Sequence, residues 1–294
     1  MSRVHGVQGL LNRTAVVTGA ARGIGAALAR KLAERGMRVA LLGLEGDLLR
    51  EVARTLPVQT CCLDVDVTDE AAMERAAAAV GDLLGAPSVV VANAGIAEGG
   101  PFGFSDPVTW RRVIEVNLCG SATTARVFLP ALLSNRGYYL QVASTAAFGS
   151  VPMMSAYCAS KAGVESFAQS LRAELATQGT GVGIAYVHWT DTDMIRDADQ
   201  HTALRELRAH MPPGARRTYP VTTIAAWLAR GVDRRLPAVY APPWLRYAQP
   251  LRPLFPPAVA AVSRRTLPRL TAPGQLPSTG LLGPGGQAAR SGGR

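Results

Sequence analysis

The sequence predicts an α/β fold, a doubly wound parallel sheet of about seven strands with helices on both faces. Three observations carry this. Short apolar runs alternate with longer helical stretches along most of the chain, so each strand feeds a crossover helix. The run at 88–92 is apolar throughout, as a strand covered on both faces should be. A glycine-rich turn, Thr18 to Gly25, joins the first apolar run to the first helical stretch.

In order, strands are expected at 15–18, 38–42, 58–65, 88–92, 138–143, 182–187 and, shortest, 238–240. Helices are expected at 24–35, 47–55 and 70–84. A long one starts at Pro107, behind Ser105 or Asp106 as cap, and runs to about Ser134. The helix after the fifth strand carries Val164, Phe167, Leu171 and Leu175 as one apolar stripe. Residues 1–245 read as one catalytic-sized domain with an irregular lid at about 193–218. Residues 246–294 read as a basic Pro/Gly-rich extension, with a short helix at 257–266 and a last part too poor in apolar residues to fold alone.

Composition narrows the class further. The 294 residues are 48% hydrophobic and 18% charged, enough to bury a full core. The net charge of +10 is uneven: nine arginines and no acid follow Asp233, leaving residues 1–233 close to neutral. That pattern argues against nucleic-acid binding, because the charge lies outside any recognisable fold. Cys61, Cys62, Cys119 and Cys158 have no metal-type or C-x-x-C spacing and read as reduced thiols of a cytoplasmic protein. The first fourteen residues lack a secretory apolar stretch, and no uncharged apolar run reaches the roughly 18 residues of a membrane span.

Two patterns carry chemistry. Tyr157 and Lys161 share a helix face at i, i+4, with Ser144 thirteen residues upstream. A cation about 4 Å from a phenolate, at an effective dielectric near 20, is worth roughly 4 kcal/mol. The expectation is therefore a tyrosine with a lowered pKa, fit for acid/base work. In T-G-A-A-R-G-I-G, Gly19 permits the tight turn, and Gly23 and Gly25 allow close approach of backbone to phosphate and of helix to sheet. The helix opening at Ile24 would present free N–H groups to a pyrophosphate.

Together these motifs resemble the short-chain dehydrogenase/reductase family, single-domain branch, over roughly residues 11–240, and so imply its Rossmann fold. TGAARGIG resembles the family's TGxxxGxG. Asp66 and Val67 match the pair that contacts adenine, and Asn93, Ala94 and Gly95 match its N-A-G motif. Asn117, Ser144, Tyr157 and Lys161 match the catalytic tetrad, and Thr192 matches the threonine that bonds the nicotinamide carboxamide. The resemblance implies an NAD(P)(H)-dependent oxidoreductase interconverting an alcohol and a ketone or aldehyde. Tyr157 would be the acid/base, Ser144 the oxyanion donor, Lys161 the cation at Tyr157, and Asn117 the holder of a proton-relay water. The alternative is a vestigial dinucleotide-binding regulator. The sugar-nucleotide epimerase branch, which shares YxxxK, is rejected on glycine spacing.

The second strand ends at Gly43, without the acid that would repel a 2′-phosphate, and Arg22 resembles the basic residue of NADP-preferring members. Glu45 pulls the other way if it folds back. NADP(H) is favoured, with NAD(H) the alternative. Val187 and His188 replace the family's Pro-Gly. His188 reads as a packing residue rather than a second acid/base, and the nearby aspartates 191, 193, 197 and 199 as loop and helix-start residues rather than a metal loop. The lid's Met194, Ile195, Leu204, Leu207 and Met211 favour a lipophilic small-molecule substrate. A homodimer or homotetramer is implied by the resemblance. Two readings stand for Trp244, Leu251, Leu254 and Phe255 with their flanking arginines. One is peripheral contact with an anionic membrane; the other is an apolar cap over the pocket or a subunit interface.

Overall fold

A computed structural model describes residues 9–270 and 278–291. Seven strands form one wholly parallel sheet: β1 (Thr14–Thr18), β2 (Arg38–Gly43), β3 (Thr60–Asp64), β4 (Val89–Ala92), β5 (Tyr138–Ser144), β6 (Gly181–Val187) and β7 (Ala238–Ala241). Their order, β3-β2-β1-β4-β5-β6-β7, reverses direction between β1 and β4. The connections leave to opposite faces there, opening a crevice beyond the carboxyl ends of the strands. Alternation along β1 divides the core between the two faces. Val16 joins Leu42, Val90 and Tyr139 on one side; Ala15 and Val17 join Leu41, Val91 and Leu140 on the other.

The expected helices fall near their predicted positions, and one more, over Val221–Asp233, was not expected. Helices α1 (Gly23–Ala33), α2 (Gly46–Arg54) and α3 (Glu70–Leu84) follow the first three strands, and Asp69 caps α3 by accepting from Ala72 N. The expected helix from Pro107 to Ser134 is capped by Asp106 but is not continuous. It comprises α4 (Pro107–Ile114), a π-helical turn over Glu115–Cys119, and α5 (Gly120–Ser134). This is the one stretch among the described residues long and apolar enough to cross a membrane by composition, and it packs on α3, β4, β5 and α6 instead. Helix α6 (Ser155–Glu174) carries Tyr157 and Lys161. The lid region is more regular than expected, holding α7 (Asp193–Gln200) and α8 (Thr202–Ala209). Helix α9 (Val221–Asp233) packs along α1.

The largest departure lies beyond β7. A four-residue helix, α10 (Leu245–Ala248), leads to α11 (Phe255–Leu270), longer than the 257–266 expected. The end of the chain, expected to lack structure, instead holds α12 (Gly283–Ser291) and a short strap before it. Residues 271–277 and 292–294 of that expectation lie outside the described residues. The strap is tied by Thr279 N to Gly99 O and Leu282 N to Ala97 O, both 2.8 Å, and by Gly99 N to Thr279 Oγ1, 2.8 Å. Leu282 is buried among Ala97, Met154, Ala198 and Leu204. A segment too polar to fold alone is ordered here by docking on the body of the protein.

Candidate active site and dinucleotide groove

One continuous cavity of about 1140 Å³ lies beyond the carboxyl ends of β1, β4, β5 and β6. At one end the Gly19–Gly25 turn forms its floor. Gly19 has φ +64°, and a Cβ there would lie 2.8 Å from Ala94 Cα. A Cβ on Gly25 would lie 2.2 Å from Gly19 O and 2.6 Å from Asn93 Nδ2. Only glycine permits this cradle, whose close backbone suits a pyrophosphate. Asn93 Nδ2 donates to Thr18 O at 2.9 Å, while Thr18 Oγ1 accepts from Asn93 N and Ala94 N at 3.0 and 3.1 Å. These bonds tie β1 to β4 beside the crevice. The residues present therefore fit a dinucleotide: Gly19, Gly23, Ile24, Asp66, Val67, Ala94, Gly95 and Thr192 all line this groove.

Asp66 accepts from Thr68 N (2.9 Å) and Thr68 Oγ1 (2.7 Å) and is ion-paired to Arg112. Burial alone would raise its pKa, but the Thr68 and Arg112 hydrogen bonds together hold the carboxyl below its usual range. Arg22 is held on two sides. Its Nε donates to Glu45 Oε2 at 2.8 Å and its Nη1 to Asp193 Oδ2 at 3.0 Å, and Nη2 also reaches Glu45. Glu45 thus folds back, and the guanidinium already faces two carboxylates.

Tyr157, Ser144, Lys161 and Asn117 converge at the other side of the cradle. The Ser144 side chain lies beside the Tyr157 phenol, and its oxygen accepts from Ala146 N at 3.1 Å. Lys161 Nζ lies 5.6 Å from the Tyr157 ring centroid and donates to Val142 O at 3.3 Å. Burial pushes Lys161 down to about 8. The phenol does not follow the expectation. Burial pushes its pKa up, Ser144 pulls it back only partly, and Cys158 adds to the rise. The reason is geometric, since the lysine meets the ring and a backbone carbonyl.

Asn117 sits in the π turn and is fully buried. Its Nδ2 donates to Ile96 O and Ser160 Oγ, both 2.9 Å, and its Oδ1 accepts from Ile96 N at 2.8 Å. The side chain therefore pins the β4 loop to α6. The extra residue of the π turn re-aims it inward, a common use of such bulges. A Cβ on Gly95 would lie 3.1 Å from Asn117 Oδ1 and 3.4 Å from Lys161 Nζ, so Gly95 leaves room for both.

His188 Nε2 contacts Ala215 O at 2.7 Å and Nδ1 contacts Thr145 Oγ1 at 3.2 Å. The carbonyl requires a proton on Nε2, leaving Nδ1 to accept from the threonine. Burial pushes its pKa down to about 4, so it is neutral and packs against Trp244. No group of His, Cys, Asp and Glu among the described residues has metal-holding geometry.

Sequence reasoning missed three features of this site. Asp193 pairs with Arg22 across 171 positions. Arg112 bonds both Asp66 and, through Nε at 3.2 Å, Ala289 O of α12. The strap and α12 wall the groove through Leu282, Gly285 and Ala289, with Gly283 N donating to Asp197 Oδ2 at 2.7 Å. The composition of the tail carried no signal of this.

The glycine cradle, the Tyr157–Lys161 helix and the sheet order define a nucleotide-dependent oxidoreductase of the short-chain type. The chain belongs to the short chain dehydrogenase family, whose model matches residues 13–203. It is similar to the cis-4-hydroxycyclohexanecarboxylate dehydrogenase of Sinomonas cyclohexanicum, 40% identical over 192 residues that cover 62% of this chain and 75% of that protein. Among solved structures it resembles a short chain dehydrogenase/reductase from Burkholderia phymatum in complex with NAD (TM-score 0.73, 25% identical, 83% of this chain and 93% of that one). It also resembles a metagenomic short-chain oxidoreductase in complex with NADP (TM-score 0.59, 34% identical, 61% and 84%). The protein is an NAD(P)-dependent oxidoreductase acting on the hydroxyl/ketone couple.

Proposed function

We propose that the protein interconverts a secondary alcohol and a ketone on a small lipophilic, cyclic molecule, with Tyr157 as the proton carrier. The observation that carries this reading is the convergence of Ser144, Tyr157 and the buried Lys161 on one cavity with the glycine cradle. A bound nicotinamide would supply or accept the hydride. Ser144 then holds the substrate oxygen, and Tyr157 gives it a proton in reduction or removes one in oxidation. The raised pKa keeps the phenol protonated, the form that donates in reduction. Lys161 and Asn117 hold α6 and the β4 loop in register around that proton. The cyclic substrate is supported by the apolar cavity wall and by the similarity to the cis-4-hydroxycyclohexanecarboxylate dehydrogenase of Sinomonas.

For the cofactor, the resemblance favours NADP(H), and from the charges around Arg22 we propose NAD(H). Glu45 and Asp193 already neutralise Arg22 and leave the position a net negative charge, which supports a ribose without phosphate. The four cysteines are free, in keeping with a cytoplasmic protein. Exposed Tyr247, Leu251 and Leu254 beside Arg246, Arg264 and Arg265 support peripheral contact with anionic lipid. Co-sedimentation with anionic vesicles, lost in Leu251→Asp/Leu254→Asp, tests it. A homodimer or homotetramer is the proposed assembly, measured by light scattering. The central test is dihydronicotinamide oxidation with a panel of cyclic ketones: turnover should vanish in Tyr157→Phe while cofactor binding persists. Equal turnover in that variant would overturn the reading.

A further inference from the structure

Among the described residues, Arg208 Nη1 and Trp189 Nε1 are buried hydrogen-bond donors without a partner. Their side chains are neighbours. The guanidinium carbon of Arg208, on α8, lies 5.5 Å from the ring centroid of Trp189, just past β6. Both line the cavity that holds Tyr157 and Ser144. Asp199 Oδ2 accepts from Arg208 Nη2 at 2.5 Å, which fixes the guanidinium and leaves Nη1 unmatched. Buried donors are nearly always satisfied in folded proteins, and a charged donor is the costliest to leave bare. Two adjacent ones in a cavity call for an acceptor that arrives with the ligand.

The chemistry of that acceptor follows from the donors. A single carbonyl oxygen would have to serve both donors, although Asp199 already balances the guanidinium charge. A carboxylate has two oxygens, one for each donor, and charge-assisted bonds to guanidinium are the stronger kind. The other charged groups here do not compete for it. Asp199 is already paired with Arg208, and Asp193 is held by Arg22 and Arg196. Arg217, also lining the cavity, adds positive charge. Between this corner and the Ser144–Tyr157 pair the wall is apolar, built from Met154, Met194, Leu204 and Leu207.

We propose that Arg208 and Trp189 form a carboxylate subsite, so that the substrate is an apolar keto acid or hydroxy acid. Its carboxylate sits on Arg208 and Trp189 and its reacting oxygen on Ser144 and Tyr157. This rests on the oxidoreductase reading of the same cavity. Titration calorimetry on the NAD⁺-loaded full chain separates the two claims, because it needs no turnover. The probes are 4-oxocyclohexanecarboxylate, its methyl ester and cyclohexanone. The acid should bind at least about tenfold tighter than the ester. That preference should disappear in Arg208→Gln, return in part in Arg208→Lys, and shrink several-fold in Trp189→Phe, with circular dichroism confirming folded variants. Equal affinity for acid and ester, or a preference unchanged in Arg208→Gln, overturns the subsite. Acid-selective binding without reduction of any probe by NADH would overturn the oxidoreductase reading and leave the subsite standing.

Discussion

Replacing Glu45 by Gln removes one of the two carboxylates that hold Arg22 and leaves the side chain's volume in place. In the native groove Arg22, Glu45 and Asp193 sum to one negative charge; in the variant they sum to zero. Both members of the Arg22–Glu45 pair are largely shielded, 30% and 19% exposed, so the surroundings lie between protein surface and water. At roughly 6 Å, with an effective dielectric of about 40, each unit charge on another is worth about 1.4 kcal/mol, a factor of about ten. A 2′-phosphate carries between one and two charges at neutral pH, so removing Glu45 should improve NADPH binding about 10- to 100-fold relative to NADH. Arg22 also regains the donors that Glu45 occupied. The assay is equilibrium titration of dihydronicotinamide fluorescence with NADH and NADPH in native protein and variant. The native protein should favour NADH, and the gain should fall as salt rises. A ratio shifted less than threefold, or a native preference for NADPH, would refute the argument.

Other expectations follow from the same geometry. Gly25→Ala would drive a Cβ into Gly19 O and should abolish dinucleotide binding, whereas Gly214→Ala, where nothing lies within 4 Å, should be silent in the same titration. Deleting residues 278–294 removes Leu282 from the groove wall, and burial of such a side chain is worth roughly 1.5–3 kcal/mol. Stopped-flow displacement should then show NADH leaving at least about tenfold faster. His188 is held neutral with a pKa of about 4, so the unfolded chain binds the extra proton between about pH 6.5 and 4. Stability from this group is complete above that window and lost as pH falls through it. Melting temperature should drop less steeply with acid in His188→Gln than in the native protein.

The sheet and the cradle were legible because their signals are local. An apolar run such as 88–92 declares a doubly covered strand, and glycines 19, 23 and 25 declare close approach wherever the rest of the chain lies. Helix spacing also sets Tyr157 against Lys161. Their energetics were not legible, because the balance between desolvation and charge depends on what covers the phenol. The π turn escaped notice for a similar reason: a one-residue change of hydrogen-bond register leaves no mark on apolar spacing. Arg22 with Asp193, and Trp189 with Arg208, are meetings imposed by tertiary structure on residues of unremarkable local context. The C-terminal segment is the clearest case. Gly, Pro and Ser content describes what a segment does alone, and this one is ordered by the surface it lies on.

That arrangement has a bearing on how the protein is made and handled. The C-terminal wall of the groove follows every strand of the sheet along the chain, so a growing chain can complete the sheet before it can enclose a nucleotide. A purification tag fused close behind α12 would press on that closing piece of chain.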